Sequence, residues 1–309
     1  MILTVCPNPS VDCTIELDNL NVGMLNRVQN KVETYSGKAL NVAKGVARLG
    51  ERSFATGFMF DGNGRTFEHA LDKEGVGHNF VYNDGFARVN YKIIDKKSML
   101  TEINERGENV SRPKQEELIR LVASLSADCD ICVMSGSLPR GVSPEFYREV
   151  LSVVPDRVKK IVDTETDNMR EALKCGLYMV KPNLRELEAF AETTVRTKKD
   201  VVSATKKYID EGVEYVLVSL GADGAILTDG SKHYFCKSAS VAVNSTVGAG
   251  DCMVSASCVC IERGAPMQEV LKCSVSAGTA SITTSGTNLF YLDKYREIYS
   301  KLTVEEIKL

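Results

Sequence analysis

The stretch Asn244-Ser-Thr-Val-Gly-Ala-Gly-Asp251, running straight into the apolar Cys252-Met-Val-Ser-Ala-Ser-Cys-Val-Cys260, decides how this chain is read. Two glycines flank an alanine just before an acid, and a helical run starts there. The first N–H groups of a helix have no partners inside it, so at Gly248, Ala249 and Gly250 they converge on a point that suits an anion. Asp251 stands at the same terminus, where the helix dipole favours its ionised form and a neighbouring phosphate opposes it. A carboxylate beside a phosphate cradle is the arrangement that takes a proton from a hydroxyl while phosphoryl charge develops. A tight turn with an N-capping acid explains the same letters without chemistry.

Outward from that segment, short apolar runs alternate with amphipathic ones, the pattern of a sheet covered by helices on both faces. Met1-Ile-Leu-Thr-Val-Cys6 reads as a buried first strand, Leu40 to Gly50 as a helix after the Ser36-Gly37-Lys38 turn, and Ser53–Phe58 as the next strand. Ile131–Met134, Val158–Asp163, Tyr178–Val180, Tyr215–Ser219 and Ala225–Thr228 follow as core strands, each ending near polar, Gly or Pro residues. Ligands of open α/β sheets bind at the carboxyl ends of the strands. Two segments break the rhythm: 12–35 and 86–105 read as β insertions, the second being Arg88–Ile94, a turn at Asp95–Ser98, and Met99–Ile103. The expected organisation is an α/β core of residues 1–11, 36–85 and 106–309 with a β lid inserted into it, whose outer face can serve as a homodimer surface.

The 309 residues are 43% hydrophobic and 26% charged, an ordinary globular composition, and the formal net charge of −3 comes without a dense Lys/Arg run. Nucleic acid is therefore not an expected partner. The start of the chain lacks a basic leader and a long apolar stretch, so a cytoplasmic protein with no membrane association is expected. The ten cysteines lie mostly in apolar segments and read as small core residues, Cys129-Asp-Ile-Cys132 included, because no second pair or nearby His completes a zinc set. His69, His78 and His233 join no acid or nucleophile pattern.

Neither G-x-x-x-x-G-K-[ST] nor G-x-G-x-x-G follows a strand, which removes the usual P-loop and dinucleotide readings. Ser36-Gly37-Lys38-Ala39-Leu40-Asn41-Val42-Ala43 and the Thr246–Asp251 loop together resemble the paired signatures of the ribokinase-like sugar kinases of the phosphofructokinase B family, and the resemblance covers essentially the whole chain. Asn8-Pro9-Ser10-Val11-Asp12, Thr101-Glu-Ile-Asn104 and Ser135-Gly-Ser-Leu-Pro139 narrow it to the branch holding the 1-phosphofructokinases and tagatose-6-phosphate kinases. The resemblance implies a three-layer α/β/α sandwich with a mostly parallel sheet and a small β-sheet lid. It implies MgATP as donor and a ketohexose phosphate as acceptor, fructose 1-phosphate first, with tagatose 6-phosphate and fructose 6-phosphate as alternatives. A non-catalytic sugar-phosphate or nucleotide sensor on the same fold is the reading from another class.

The residue roles follow the same resemblance. Asp251 is the expected general base, with Gly248, Ala249 and Gly250 as the anion hole. Asp12, Arg27, Gly37, Lys38, Asn41, Arg88, Asn90 and Ser137 face the sugar phosphate: Asp12 offers two acceptor oxygens to sugar hydroxyls at the end of the first strand, and the arginines offer charge to the phosphate. Lys181, Asn183, Ser219, Gly221, Gly224, Thr246 and Gly278 fall on the nucleotide side, with Ala277 and Ser285-Gly286-Thr287 toward the adenine. Asn183 and Glu186 match the element that orients Mg²⁺ through water, although Asn-x-x-Glu is also an ordinary capping box. Ala39 stands where the family usually has glycine, which fits only if its φ is negative.

Overall fold

The computed structural model describes residues 1–97, 99–284 and 288–308. Among them the strands are β1 Ile2–Cys6, β2 Ser10–Glu16, β3 Asn30–Ser36, β4 Ser53–Phe60, β5 Gly77–His78, β6 Val81–Asn83, β7 Arg88–Ile94, β8 Leu100–Asn104, β9 Ile131–Ser135, β10 Lys159–Asp163, β11 Met179–Val180, β12 Tyr215–Ser219, β13 Ala225–Thr228, β14 His233–Cys236 and β15 Val304–Glu306. The helices are α1 Lys38–Arg48, α2 Gly64–Asp72, α3 Arg112–Ser126, α4 Glu145–Ser152, α5 Thr166–Ala172, α6 Leu184–Ala191, α7 Lys198–Asp210, α8 Ala249–Glu262, α9 Met267–Ser281 and α10 Leu292–Lys301.

The large sheet runs β15-β14-β13-β12-β11-β10-β9-β1-β4-β5, with β6 also on β4. From β5 through β12 every pairing is parallel, and the β13–β15 edge is antiparallel. Both faces are covered, so successive residues of one strand enter opposite cores: Ile2, Ile131, Val133 and Ile161 pack with α8 and α9, while Leu3, Cys132, Met134 and Val162 pack on the other side. That is why these strands read as unbroken apolar runs without alternation. No helix among the described residues is long and apolar enough to cross a membrane.

The two β insertions form a separate four-stranded sheet, β3-β2-β7-β8. Its central pair, β2 and β7, is parallel, with Ser10 opposite Arg88, Asp12 opposite Asn90 and Thr14 opposite Lys92. Asp12 therefore sits inside a strand of the small sheet and not in a turn after β1, because β2 starts already at Ser10. The expected turn at Asp95–Ser98 includes Ser98, which lies outside the described residues.

Helices α1 and α8 lie against each other at Gly45. A Cβ built there would stand 2.3 Å from Ser255 Oγ and 2.7 Å from Ser255 Cβ. Ser255 Oγ donates to the Val42 carbonyl at 3.2 Å and to its own helix at Asp251 O at 2.8 Å. Asn41 and Asp251 are each one turn N-terminal to this contact, so the same close approach brings their side chains together. Gly45→Ala gains about 1 kcal/mol of helix propensity, but the Cβ–Cβ overlap cannot be relieved by a rotamer change and overpacking costs about 1–3 kcal/mol. A net loss of roughly 1–2 kcal/mol in urea unfolding is expected, and Gly45→Ala/Ser255→Gly should recover it. Undiminished stability of the single variant contradicts the packing argument.

Candidate active site

Two glycine-started helices build the floor of the site. Gly37 precedes α1 at φ 151°, and any Cβ there would meet Cys6 Sγ at 2.8 Å, so the turn admits only glycine. Ala39, one residue inside α1, is fully buried and is not among the positive-φ residues, so it fits where the family has glycine. Gly248 precedes α8 at φ 81°, and α8 opens with the N–H groups of Ala249, Gly250 and Asp251. A Cβ on Gly250 would lie 3.1 Å from Lys181 Nζ, which places that ammonium group against the first turn of α8.

Asp251 is 6% exposed, and its Oδ2 accepts from Asn41 Nδ2 at 2.8 Å. The Asn41 amide also donates to Ser36 Oγ at 3.1 Å, which fixes its orientation. Burial pushes the Asp251 carboxyl up to about 7, helped by Asp163 and opposed by Lys38, Lys181 and the Asn41 hydrogen bond. The sequence pointed the other way, because the helix dipole is a local feature and the desolvation by α1 and its neighbours is not. The upward shift makes Asp251 a better base near neutral pH than an ordinary carboxylate.

Asp163, the last residue of β10, is 1% exposed and lies between two ammonium groups, Lys38 at 3.6 Å and Lys181 at 3.4 Å. Burial alone would raise its carboxyl, but the two lysines overcome that and hold it below the ordinary range. Lys38 is raised in return, chiefly by Asp163. The result is a pair of cations beside a helix N-terminus, a place for phosphate oxygens.

On the small sheet Asp12 is 5% exposed; its Oδ1 accepts from Asn90 Nδ2 at 3.0 Å and its Oδ2 lies 3.3 Å from Lys92 Nζ. Arg88, half-buried on the same face, donates from Nη1 to the Glu105 carbonyl at 3.1 Å. Ser137 Oγ accepts from Asn8 Nδ2 at 3.3 Å in the turn after β9. Arg27 is exposed on the connection between β2 and β3 and is not brought to Arg88 or Asp12 by any ion pair or hydrogen bond among the described residues.

Asn183 and Glu186 form the reciprocal capping box of α6: Asn183 Oδ1 accepts from Glu186 N at 3.0 Å and Glu186 Oε2 from Asn183 N at 2.8 Å. Glu186 also contributes to the field at Lys38, so the cap lies near the cations. Ser219 ends β12, and its N–H donates to the Pro182 carbonyl at 3.1 Å, which joins this turn to Lys181-Pro182-Asn183. Gly221 and Gly224 take φ of 62° and 106°, and a Cβ on Gly224 would stand 2.0 Å from the Cys236 carbonyl oxygen. Gly278 is the crossing point of α9 and α8, where a Cβ would meet Met253 Cγ at 2.8 Å and Ala249 O at 3.3 Å. Thr246 lies in the loop just before Gly248. Ser285-Gly286-Thr287 lie outside the described residues.

The chain matches the model of the pfkB family carbohydrate kinases over residues 8–294. It belongs to that family. Among its relatives, a 1-phosphofructokinase of Borreliella burgdorferi is 30% identical over 309 residues, with 99% of each chain covered. A tagatose-6-phosphate kinase of Staphylococcus epidermidis is 29% identical, covering 99% of this chain and 100% of that one. Phosphofructokinase-2 of Escherichia coli, solved with fructose-6-phosphate, superposes with a TM-score of 0.89 at 26% identity over 97% of this chain and 98% of that one. This kinase is thus an ATP-dependent sugar-phosphate kinase, and the phosphofructokinase B resemblance and the three-layer α/β fold expected from the sequence hold.

Two residues of this candidate site escaped the sequence reading. Asp163 ends a strand that was recognised, so its position at a carboxyl end was the available signal. Lys92 carried a signal in its period-two spacing from Arg88 and Asn90, which puts all three on one face.

Proposed function

We propose that this kinase transfers the γ-phosphoryl group of MgATP to the 6-hydroxyl of fructose 1-phosphate, giving fructose 1,6-bisphosphate and ADP. The observation that carries the proposal is the Asn41–Asp251 hydrogen bond at 2.8 Å beside the start of α8, a buried carboxylate oriented at an anion cradle. Asp251 accepts the proton of the attacking hydroxyl. The N–H groups at the start of α8, with Lys181 and Lys38, stabilise charge on the transferring phosphoryl group. Asp12 takes sugar hydroxyls, and Arg88 and Asn90 face the sugar's own phosphate from the small sheet, which acts as a lid. Arg27 and Ser137 belong to the rim of this sugar site.

Thr101-Glu-Ile-Asn104 and the Borreliella relative favour fructose 1-phosphate, and the Staphylococcus relative keeps tagatose 6-phosphate as the second reading. A sensor without catalysis does not need a base, a cradle and paired lysines together. Mg²⁺ fits the donor set: a hard cation that arrives on nucleotide phosphates and keeps most of its waters needs few protein ligands, and one oxygen of Glu186 is left over from the capping box. Asn183 and Glu186 would hold it through water, and it would neutralise phosphate charge during transfer. A cytoplasmic location suits these substrates.

A homodimer through the lid completes the proposal. Of the exposed large apolar side chains among the described residues, ten lie on or beside the small sheet, including Val22, Met24, Leu25, Val28 and Ile103, against three elsewhere. Concentrations of this kind mark association surfaces. Light scattering of the wild type is expected to give twice the chain mass, and Leu25→Glu/Ile103→Lys to give one; a monomeric wild type refutes the surface.

Coupled ADP release over fructose 1-phosphate, tagatose 6-phosphate, fructose 6-phosphate and unphosphorylated ketoses should show the highest kcat/KM for fructose 1-phosphate. A lead for tagatose 6-phosphate overturns the acceptor, and no turnover with any sugar overturns catalysis. Arg88→Ala should raise the sugar-phosphate KM roughly tenfold to a hundredfold, and an equal KM removes Arg88 from the phosphate. Asp251→Asn should lower kcat by roughly 10²–10⁴ with little change in KM; activity within threefold of wild type removes Asp251 from its role.

The pH dependence has a definite sign. Only ionised Asp251 accepts a proton, and its carboxyl sits near 7 in the folded enzyme. Wild-type kcat/KM should therefore be level above about pH 7 and fall about tenfold per unit below it. A profile level down to pH 5 contradicts the shift.

A further inference from the structure

Nine buried side-chain polar atoms of the described residues have no hydrogen-bond partner, and three of them, Arg88 Nε, Asn90 Oδ1 and Lys92 Nζ, are successive same-face residues of β7. Buried polar atoms left unpaired in a native structure call for an explanation, and a ligand-facing surface supplies one for Arg88 and Asn90. Lys92 needs a different account. It is 5% exposed, deeper than either neighbour, and its only ion pair among the described residues is with Asp12 Oδ2 at 3.3 Å. A buried ammonium group is expensive, and an aliphatic side chain would fill this place at lower cost, so stability alone does not explain a lysine here.

Asp12 is the group the charge serves. Its carboxylate is 5% exposed and is held from two sides, Asn90 on Oδ1 and Lys92 on Oδ2. The other cations that act on it are Arg88, also on β7, and Lys44 from α1, whose interaction with Asp12 is electrostatic at longer range. Neither makes an ion pair with it: Arg88 donates to the Glu105 carbonyl, and Lys44 Nζ donates to the Tyr35 carbonyl at 2.6 Å. From β3 the neighbour opposite Asp12 is Thr34, which is neutral.

We propose that Lys92 is a positioning residue for sugar binding: its ammonium group holds Asp12 Oδ2 while Asn90 holds Oδ1, so that the carboxylate is oriented with both oxygens available to sugar hydroxyls. This rests on the reading of Asp12 as the hydroxyl-binding group. Without Lys92 the buried carboxylate loses its contact cation and is held on one oxygen only, so its acceptor sites lose their alignment toward the hydroxyls. Transfer itself, carried by Asp251 on α8, is not touched.

The test is calorimetric binding of fructose 1-phosphate, with kcat alongside, for wild type, Lys92→Met, Lys92→Arg, Asp12→Asn and Lys92→Met/Asp12→Asn. Lys92→Met should weaken binding about tenfold to a hundredfold, with kcat within about threefold, and should be nearly silent in the Asp12→Asn background; Lys92→Arg should restore most of the loss. An equal loss in both backgrounds means that Lys92 contacts the substrate directly, and this overturns the proposal, as does unchanged binding. Where Lys92→Met does not fold, Lys92→Gln takes its place in the same cycle. Carbon-13 NMR of aspartate-labelled protein without substrate, with Asp12 assigned through Asp12→Asn, gives a readout independent of the acceptor: the Asp12 carboxyl signal should move in Lys92→Met and return in Lys92→Arg, and an unmoved signal overturns the proposal. Failure of the wild type to bind or turn over any ketohexose phosphate counts against the acceptor reading, while the carbon-13 signal still decides the hold of Lys92 on Asp12.

Discussion

The close approach of α1 to α8 at Gly45 and Ser255 is the constraint on which the rest of the site depends. Each helix starts after a glycine at positive φ, and each carries one polar residue one turn before the contact: Asn41 on α1, Asp251 on α8. Because α1 has no side chain at Gly45 where Ser255 of α8 packs, the amide of one helix reaches the carboxylate of the other at 2.8 Å. The same contact buries Asp251, and the burial raises its proton affinity toward neutrality. Packing, orientation and basicity thus have one origin. Two sequence segments more than 200 residues apart act as one unit only because of it.

Around that unit the charges are arranged in two opposed groups. Asp163 with Lys38 and Lys181 lies at the strand ends beside the α8 terminus, and Asp12 with Lys92, Arg88 and Asn90 lies on the small sheet. In the first group two cations surround one acid, leaving net positive charge where phosphoryl oxygens would sit. In the second, one acid on β2 lies beside three donors that share a face of β7. In the proposed reading, a sugar phosphate held between the groups would present a free hydroxyl to Asp251, with the small sheet acting as a lid over it.

The sequence carried the core strands, both glycine turns and the small sheet, because each is a local pattern: apolar runs bounded by breakers, glycine before a helix, alternation around a turn. Tertiary proximity was much less legible. Asp163 looked like the polar end of one more strand, and nothing nearby in the chain announces Lys38 or Lys181. Lys92 was not singled out: its spacing places it on the face of Arg88 and Asn90, but its burial by a second strand leaves no local trace. Asp251 was recognised, but its charge state was read from the helix dipole, whereas burial of the carboxyl decides it. β14 and β15 were not foreseen, because short edge strands lack the long apolar runs of the parallel core.

The central claim is that Asn41 acts through Asp251. A double-mutant cycle on kcat, with Asn41→Ala, Asp251→Asn and the pair, tests it most directly. The account predicts that Asn41→Ala is costly in the wild-type background and nearly silent once Asp251 is Asn, because the carboxylate it orients is gone. Equal losses in both backgrounds would mean that the two residues act independently and that the α1–α8 contact does not organise catalysis.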